Sequence, residues 1–157
     1  MGKHKIRPLA IGIFRRDDRI LVCEGYDSIK QQTFYRPLGG GIEFGERAAE
    51  AVTRELQEEI GAEMINPRYL GTLENLFTYN GKPGHEIVLV FAGELTDPSL
   101  YERETWIGHD GLPGGEEFKV VWKPLADFAA GQAPLYPDGL LPLLEQNTAA
   151  PAATHER

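Results

Sequence analysis

The chain has 157 residues, of which 41% are hydrophobic and 25% charged. These values are typical of one globular domain, and they exclude collagen, coiled coil and overall disorder. No apolar run approaches the roughly 20 residues of a spanning helix, and Met1–Lys5 leads into a strand-like segment rather than a signal peptide, so we expect no membrane association. Because Cys23 is the only cysteine, no internal disulfide can form, and we expect a cytoplasmic location.

The charge balance limits the class of partner. Sixteen basic against twenty-four acidic side chains give a net charge of −8, so the field of the protein repels polyanions. We therefore do not expect a nucleic-acid duplex as partner. A small phosphorylated substrate requires a local reversal of sign, which a bound divalent cation supplies.

The first part of the chain is predicted to be β-structure. Alternating and β-branched apolar residues predict an opening hairpin, with strands at Arg7–Phe14 and Arg19–Cys23 around the polar turn Arg15–Asp18. A short strand at Thr33–Tyr35 is predicted to end at Pro37 and in a turn made by Gly39, Gly40 and Gly41.

A helix is predicted from Glu46 to Ile60. Its apolar residues recur at spacings of three and four, and Gly61 stands where a C-terminal stop is expected. The apolar positions are Ala48, Ala49, Val52, Leu56 and Ile60.

The rest of the chain mixes strands, loops and short helices. Strands are predicted at Met64–Leu76, His85–Leu95 and Phe118–Trp122, a long loop or lid at Asp97–Glu117, helices at Leu125–Ala130 and Gly139–Gln146, and a disordered tail at Asn147–Arg157. Without regular βαβ alternation, this order predicts an α+β fold with a mixed sheet. We expect one domain over residues 1–146.

The predicted helix carries an unusual acidic cluster. Glu55, Glu58 and Glu59 lie close together on a helical projection, and Glu59 falls within the arc of the apolar stripe. Like charges at these spacings repel, and a carboxylate at a core edge is costly unless it is paired or coordinated. One neighbouring cation, Arg54, cannot neutralise three carboxylates. Converging carboxylate oxygens are what Mg²⁺ or Mn²⁺ prefers, so we predict a metal site.

The segment Gly40–Ala62 resembles the Nudix box, GX5EX7REUXEEXGU, of the Nudix hydrolases. Gly40, Glu46, Arg54-Glu55-Leu56, Glu58-Glu59 and Gly61 occupy every fixed position. Two departures are mild: Ala62 replaces a larger aliphatic residue, and Leu38 stands where a proline is common. The resemblance implies an αβα Nudix sandwich over nearly the whole chain, and hydrolysis of a nucleoside diphosphate linked to another moiety.

The resemblance also implies roles for individual residues. Glu55, Glu58 and Glu59 would ligate Mg²⁺ or Mn²⁺ together with the Gly39 carbonyl, and Glu55 would double as a general base. Arg54 would orient the carboxylates, while Gly40, Glu46 and Gly61 would support the loop and helix.

Residues outside the box are less defined by the sequence. A further ligand or base from a later loop has Glu116 and Glu117 as candidates, and structural roles compete with substrate binding at each remaining candidate. These are Arg36, Tyr79, His85, Trp106 and His109. ADP-ribose, other nucleotide sugars, dinucleoside polyphosphates, NADH and nucleoside triphosphates remain open as substrates, and homodimerisation is common in the family.

Three alternatives to a hydrolase remain. The same scaffold is used by prenyl diphosphate isomerases, but these need a reactive cysteine and Cys23 lies in an apolar strand. A nucleotide-sensing regulatory or interaction module would bind ligand without cleaving it. A plain acidic surface helix would leave Glu59 unexplained.

Overall fold

The computed structural model describes residues 4–110 and 115–147. Within these residues, nine strands and three helices alternate irregularly, as expected of an α+β fold. The strands are β1 (Ile6–Ile13), β2 (Arg15–Arg16), β3 (Arg19–Asp27), β4 (Gln32–Arg36), β5 (Leu38–Gly41), β6 (Met64–Tyr79), β7 (Lys82–Leu95), β8 (Thr105–His109) and β9 (Glu117–Pro124). The helices are α1 (Ala48–Ile60), α2 (Leu125–Ala129) and α3 (Leu140–Gln146), with a 3₁₀ turn at Pro98–Tyr101.

A mixed four-stranded sheet has the order β5-β1-β7-β6. β1 runs parallel to β7, while β5 pairs antiparallel with β1 and places Gly40 opposite Ala10. The predicted glycine turn was therefore wrong, because the glycines form an edge strand. Gly39 has φ +147°, and a Cβ there would overlap the Ala10 carbonyl oxygen, so glycine allows this close pairing.

A second, antiparallel sheet has the order β2-β3-β9-β8, with β4 also paired to β3. The predicted opening hairpin was wrong in its partners, because β1 lies in the other sheet and only the two residues of β2 fold back on β3. Both sides of β1 are already occupied by β5 and β7. β8 was also missed within the predicted lid, because nearby glycines and prolines obscured five residues that pair with β9.

The described core has two clusters. One joins α1 to both sheets, with Val52 and Leu56 of the helix packing near Phe14 and Trp122. The other packs α2 and α3 against the sheets through Phe128, Leu140 and Leu144. The first cluster fixes the position of α1 beside β5.

Capping interactions define the ends of α1. Glu50 Oε1 accepts from the Arg47 N–H at 2.8 Å, and Gly61 ends the helix with φ 65° and an N–H bond to the Gln57 carbonyl. The predicted start at Glu46 was early, since Glu46 instead closes the preceding turn by accepting from the Glu43 N–H. The predicted end at Ile60 is confirmed.

Parts of the predicted lid and of the predicted tail are not among the described residues. Positions 111–114 of the predicted lid, and the predicted tail beyond Asn147, lie outside the described residues. Within the described ranges, no helix has the length and apolar character needed to cross a bilayer.

Leu56→Ala tests the anchoring of α1. Leu56 is fully buried in the first cluster, so the truncation should lower the free energy of unfolding by about 2–5 kcal/mol. Chemical denaturation measures this loss. Gln57→Ala, at the adjacent exposed position, is the control, and an equal effect of both changes would contradict the packing described here.

Candidate active site

Arg54 connects the loop, the edge strand and the helix. Its Nε and Nη2 donate to the two carboxylate oxygens of Glu46 at 2.8 and 3.0 Å, and Nη2 also donates to the Gly41 carbonyl at 3.0 Å. Nη1 donates to Glu58 at 3.2 Å. Hydrogen bonds to Glu46 raise the pKa of Arg54, against the opposing effect of burial and with further support from Glu58. This guanidinium therefore stays charged and holds β5 and α1 together.

Glu59 is held against the glycine strand. Its Oε1 accepts from the Gly39 N–H at 3.1 Å. Burial raises the pKa of Glu59 to about 8, repulsion from Glu55 adds to the rise, and Arg36 opposes it. The carboxyl group thus lies where its charged form is poorly solvated, and a cation would relieve that cost.

Glu55 lies over Gly40, one turn before Glu59. Its side chain is only 15% exposed. Burial raises the pKa of Glu55, Arg54 opposes the rise, and Glu58 reinforces it by repulsion and a side-chain hydrogen bond. A Cβ at position 40 would overlap Oε2 of Glu55. The Glu55 carboxylate therefore occupies the space that a side chain at position 40 would fill.

Glu55 and Glu59 face a cleft of about 260 Å³. On the mixed sheet, Arg7, Glu86 and Asn75 form a row across β1, β7 and β6, because they are register partners. Arg7 Nη1 lies 3.6 Å from the Glu86 carboxylate. The row contributes one side chain from each strand to the cleft.

Arg36 brings a second cation into this cleft. Burial acts to lower its pKa, but Cys23, Glu59 and Glu86 act to raise it and prevail. Surrounding protein atoms reduce the solvation of Arg36, but the residue keeps an exposed surface, so it can contact an anionic ligand. Cys23 itself is buried, and burial raises the pKa of its thiol.

The donor set fits a hard divalent cation. Carboxylate oxygens of Glu55, Glu58 and Glu59 lie on one stretch of helix beside the space left by Gly40, and such oxygens are preferred by Mg²⁺ and Mn²⁺. In residues 4–110 and 115–147, no three acidic, histidine or cysteine side chains already converge around a common point. Glu58 is turned towards Arg54 and Glu59 towards Gly39, so the ligands would rotate on binding.

The later-loop acids do not meet at this cleft. Glu117 pairs with His109 in the second sheet, and Glu116 contributes a backbone N–H to the Asp110 carboxylate. The acid that lines the cleft from this region is Asp110. The roles of Glu116 and Glu117 stay predictions, and Asp110 is an acid at the cleft that the sequence did not indicate.

The residues predicted to bind substrate lie in different parts of the structure. Arg36 lines the cleft, and Tyr79 ends β6 four residues beyond Asn75. His85 bonds to Glu74 at 2.8 Å on the strand face opposite to Glu86. Trp106 packs beside the first core cluster, and exposed His109 ends β8.

Sequence reasoning missed the residues that face the box. Arg7, Asn75, Glu86 and Asp110 line the cleft but belong to no local motif. Asn75 gives no sequence signal, because β6 also carries other polar residues; the structure shows it 4% exposed, with its Oδ1 accepting from the Asp138 N–H.

A larger and shallower depression, of about 780 Å³, lies elsewhere on the surface. Tyr35, Lys123 and Phe128 contribute to its wall, and none of the box residues does. The smaller cleft is the candidate site, because the box carboxylates Glu55 and Glu59 line it together with Arg36.

Gly40→Ala should displace Glu55 while leaving the fold intact, because the new Cβ collides with the end of a flexible side chain. We expect the rise in melting temperature produced by Mg²⁺ to shrink strongly. Gly41→Ala is the matched control, since its Cβ would meet nothing nearer than Arg7 Nη2 at 3.7 Å. If Mg²⁺ raised the melting temperature of both variants equally, the placement of Glu55 over Gly40 would be contradicted.

Glu59→Gln should alter the pH dependence of metal-free stability. The folded pKa of about 8 lies above the ordinary value of 4.5, so the contribution of Glu59 to stability is complete below about pH 4.5 and is lost as pH rises to about 8. In EDTA, the melting temperature of Glu59→Gln should fall less than that of the wild type as the pH rises from about 5 to about 8.5. Exposed Glu63→Gln should follow the wild type, and a Glu59→Gln curve parallel to the wild type would refute the assignment.

Known proteins resemble this chain in sequence and fold. Proteins named NAD-capped RNA hydrolase NudC, from Pseudomonas aeruginosa and Photorhabdus laumondii, are 27% and 31% identical to this chain over alignments of 115 residues that cover 69% of it. The chain spans about two fifths of their length, 38% and 42% respectively.

Solved structures agree with the fold. A NUDIX hydrolase from Nitrosomonas europaea superposes with a TM-score of 0.65 at 20% identity, covering 93% of this chain and 90% of that one. The E. coli ORF135 protein gives 0.57 at 27% identity, covering 96% and 94%. The family model of the NUDIX domain matches residues 3–144. The chain therefore belongs to the Nudix family.

Proposed function

We propose that this protein uses Mg²⁺ or Mn²⁺ to hydrolyse the pyrophosphate bond of a nucleoside diphosphate linked to a second group. One observation carries the proposal: Glu55 and Glu59, both with raised pKa values, face a cleft that also holds Arg7 and Arg36. The two glutamates suit a divalent metal ion, and the two arginines suit the negative charge of a diphosphate.

The reaction adds water across one phosphoric anhydride. The water oxygen forms a bond to one phosphorus, the bond from that phosphorus to the bridging oxygen breaks, and two phosphorylated products leave. Glu55, Glu58 and Glu59 would hold the metal, together with the Gly39 carbonyl. Bound there, the metal would neutralise pyrophosphate charge and acidify water.

The protein side chains supply the other functions. Glu55 is the proposed general base, because burial raises its affinity for a proton. Arg54 keeps Glu58 and the glycine strand in place through its bonds to Glu58 and Gly41. Arg36 and Arg7, on the other walls, would bind the phosphate oxygens that do not react.

The substrate is proposed only as a class. ADP-ribose, another nucleotide sugar, or a nucleoside triphosphate would place a pyrophosphate in the cleft. The name of the NudC relatives adds NAD-capped RNA, whose cap contains the same type of bond. The net charge of −8 favours a small nucleotide over a long polyanion and disfavours duplex binding. A cytoplasmic location, one domain over residues 1–146 and a homodimer stay predictions.

A nucleotide-sensing module without catalysis is the competing proposal. It would use the same cleft and the same metal, so geometry alone does not separate the two. The complete set of box carboxylates favours turnover, because a binding module needs no general base.

The test is release of phosphate or nucleoside monophosphate from a panel containing ADP-ribose, NADH, nucleoside triphosphates and a short NAD-capped RNA, with Mg²⁺ or with EDTA. Hydrolysis should require Mg²⁺. Glu59→Gln should lower kcat on the order of 10²–10³-fold, as does loss of one electrostatic contact to a transition state.

Glu63→Gln is the matched control and should retain full turnover. Turnover in EDTA, or full activity of Glu59→Gln, would refute the metal-dependent mechanism. Tight nucleotide binding without cleavage over hours would establish the sensing module instead.

A further inference from the structure

Three aromatic side chains contact one another next to the cleft. The ring of Phe34 meets Tyr79 at 5.7 Å between centroids and Tyr136 at 5.6 Å, with interplanar angles of 79° and 69°. Both contacts are edge-to-face, so they leave ring surface uncovered. Tyr79 is 42% exposed, and we call the three residues the aromatic cluster.

Phe34 and Tyr136 lie within two positions of cleft residues, and Tyr79 is connected to the cleft through its contact with Phe34. Phe34 precedes Arg36 by two positions on β4, and it therefore shares the same strand face. Tyr79 shares the face of Asn75 on β6, and Tyr136 immediately precedes Pro137. Two residues of strand span roughly 7 Å. Phe34 thus lies about 7 Å along the strand from Arg36, and Tyr79 lies next to Phe34, so the aromatic cluster is within the reach of one nucleotide.

One glycine and one buried carboxylate help to hold the aromatic cluster in place. The Phe34 ring lies over its register partner Gly25, where any Cβ would collide with it. Asp27, only 3% exposed, accepts from the N–H groups of Ile29, Lys30 and Asn80 at 2.9–3.1 Å.

Asn80 completes this connection between two turns. Its Oδ1 accepts from both the backbone N–H and the hydroxyl of Ser28, at 2.8 and 3.1 Å. The turn after β3 is therefore bound to the turn after β6, which carries Tyr79. Phe34 and Tyr79 keep one relative position before any ligand arrives, and this lowers the cost of ordering them on binding.

We propose that the aromatic cluster binds the heteroaromatic base of the nucleotide whose diphosphate occupies the cleft, with Tyr79 stacking on the base. The inference rests on the proposed function for the position of the diphosphate. Stacking on tyrosine explains why a large aromatic side chain stays half-exposed beside a polar cleft. It also makes the base, rather than the phosphates alone, a determinant of substrate choice.

The test compares two ligands that resist hydrolysis. α,β-Methylene-ADP carries the base, and methylenediphosphonate carries only the diphosphate analogue. With Mg²⁺ present, calorimetry on the full chain should show tighter binding of the nucleotide. Tyr79→Ala should weaken it by about 10-fold or more, the usual scale of one lost base–aromatic stack, without changing methylenediphosphonate affinity.

Stacking also has a spectroscopic signature. The adenine protons should shift upfield in NMR spectra of the wild-type complex, keep that shift in Tyr79→Phe, and lose it in Tyr79→Ala. Tyr69→Ala is the matched control, since Tyr69 is a 56% exposed tyrosine on the same strand, packed on Phe91 instead. It should change nothing.

Three results would overturn the inference. They are equal wild-type affinities for the two ligands, unchanged nucleotide binding in Tyr79→Ala, and equal weakening of both ligands in that variant. None of these measurements needs turnover. Absence of Mg²⁺-dependent hydrolysis beside base-dependent binding would instead refute the proposed catalysis and leave the base site standing.

Discussion

Two hydrogen bonds from the Arg54 guanidinium to the Glu46 carboxylate determine how α1 packs against the rest of the molecule. The same guanidinium reaches the Gly41 carbonyl and the Glu58 carboxylate. One side chain thus joins an edge strand, a loop and a helix, each of which would otherwise be free to shift. Glu55 and Glu59 owe their positions against Gly40 and Gly39 to this junction.

Collecting carboxylates on a chain with a net charge of −8 has an electrostatic cost. Part of it is offset by Arg54, and part is visible as the raised pKa values of Glu55 and Glu59. Arg7 and Arg36 line the same cleft, as do the acids Glu86 and Asp110. The cleft therefore sets positive charge beside the box carboxylates, which the overall charge conceals.

The Nudix family, the α+β class and the acidic helix could be predicted because they depend on local patterns. Gly61 and the apolar spacing around Leu56 identify the helix directly. β5 and β8 could not be predicted in this way, since a glycine strand exists only through its pairing with β1, and β8 only through β9. The roles of the box residues stay predictions. Arg7, Asn75 and Glu86 become neighbours only through strand register, which no single segment encodes.

Parallel pairing between the first strand and the seventh has a consequence for engineering. The loop and helix of the box carry their own carboxylates, but the groups opposite them come from β1, β4, β6 and β7. A graft of the box onto a foreign scaffold would transfer an acidic patch without its basic counterpart. The smallest portable unit is the complete mixed sheet together with the strand that bears Arg36.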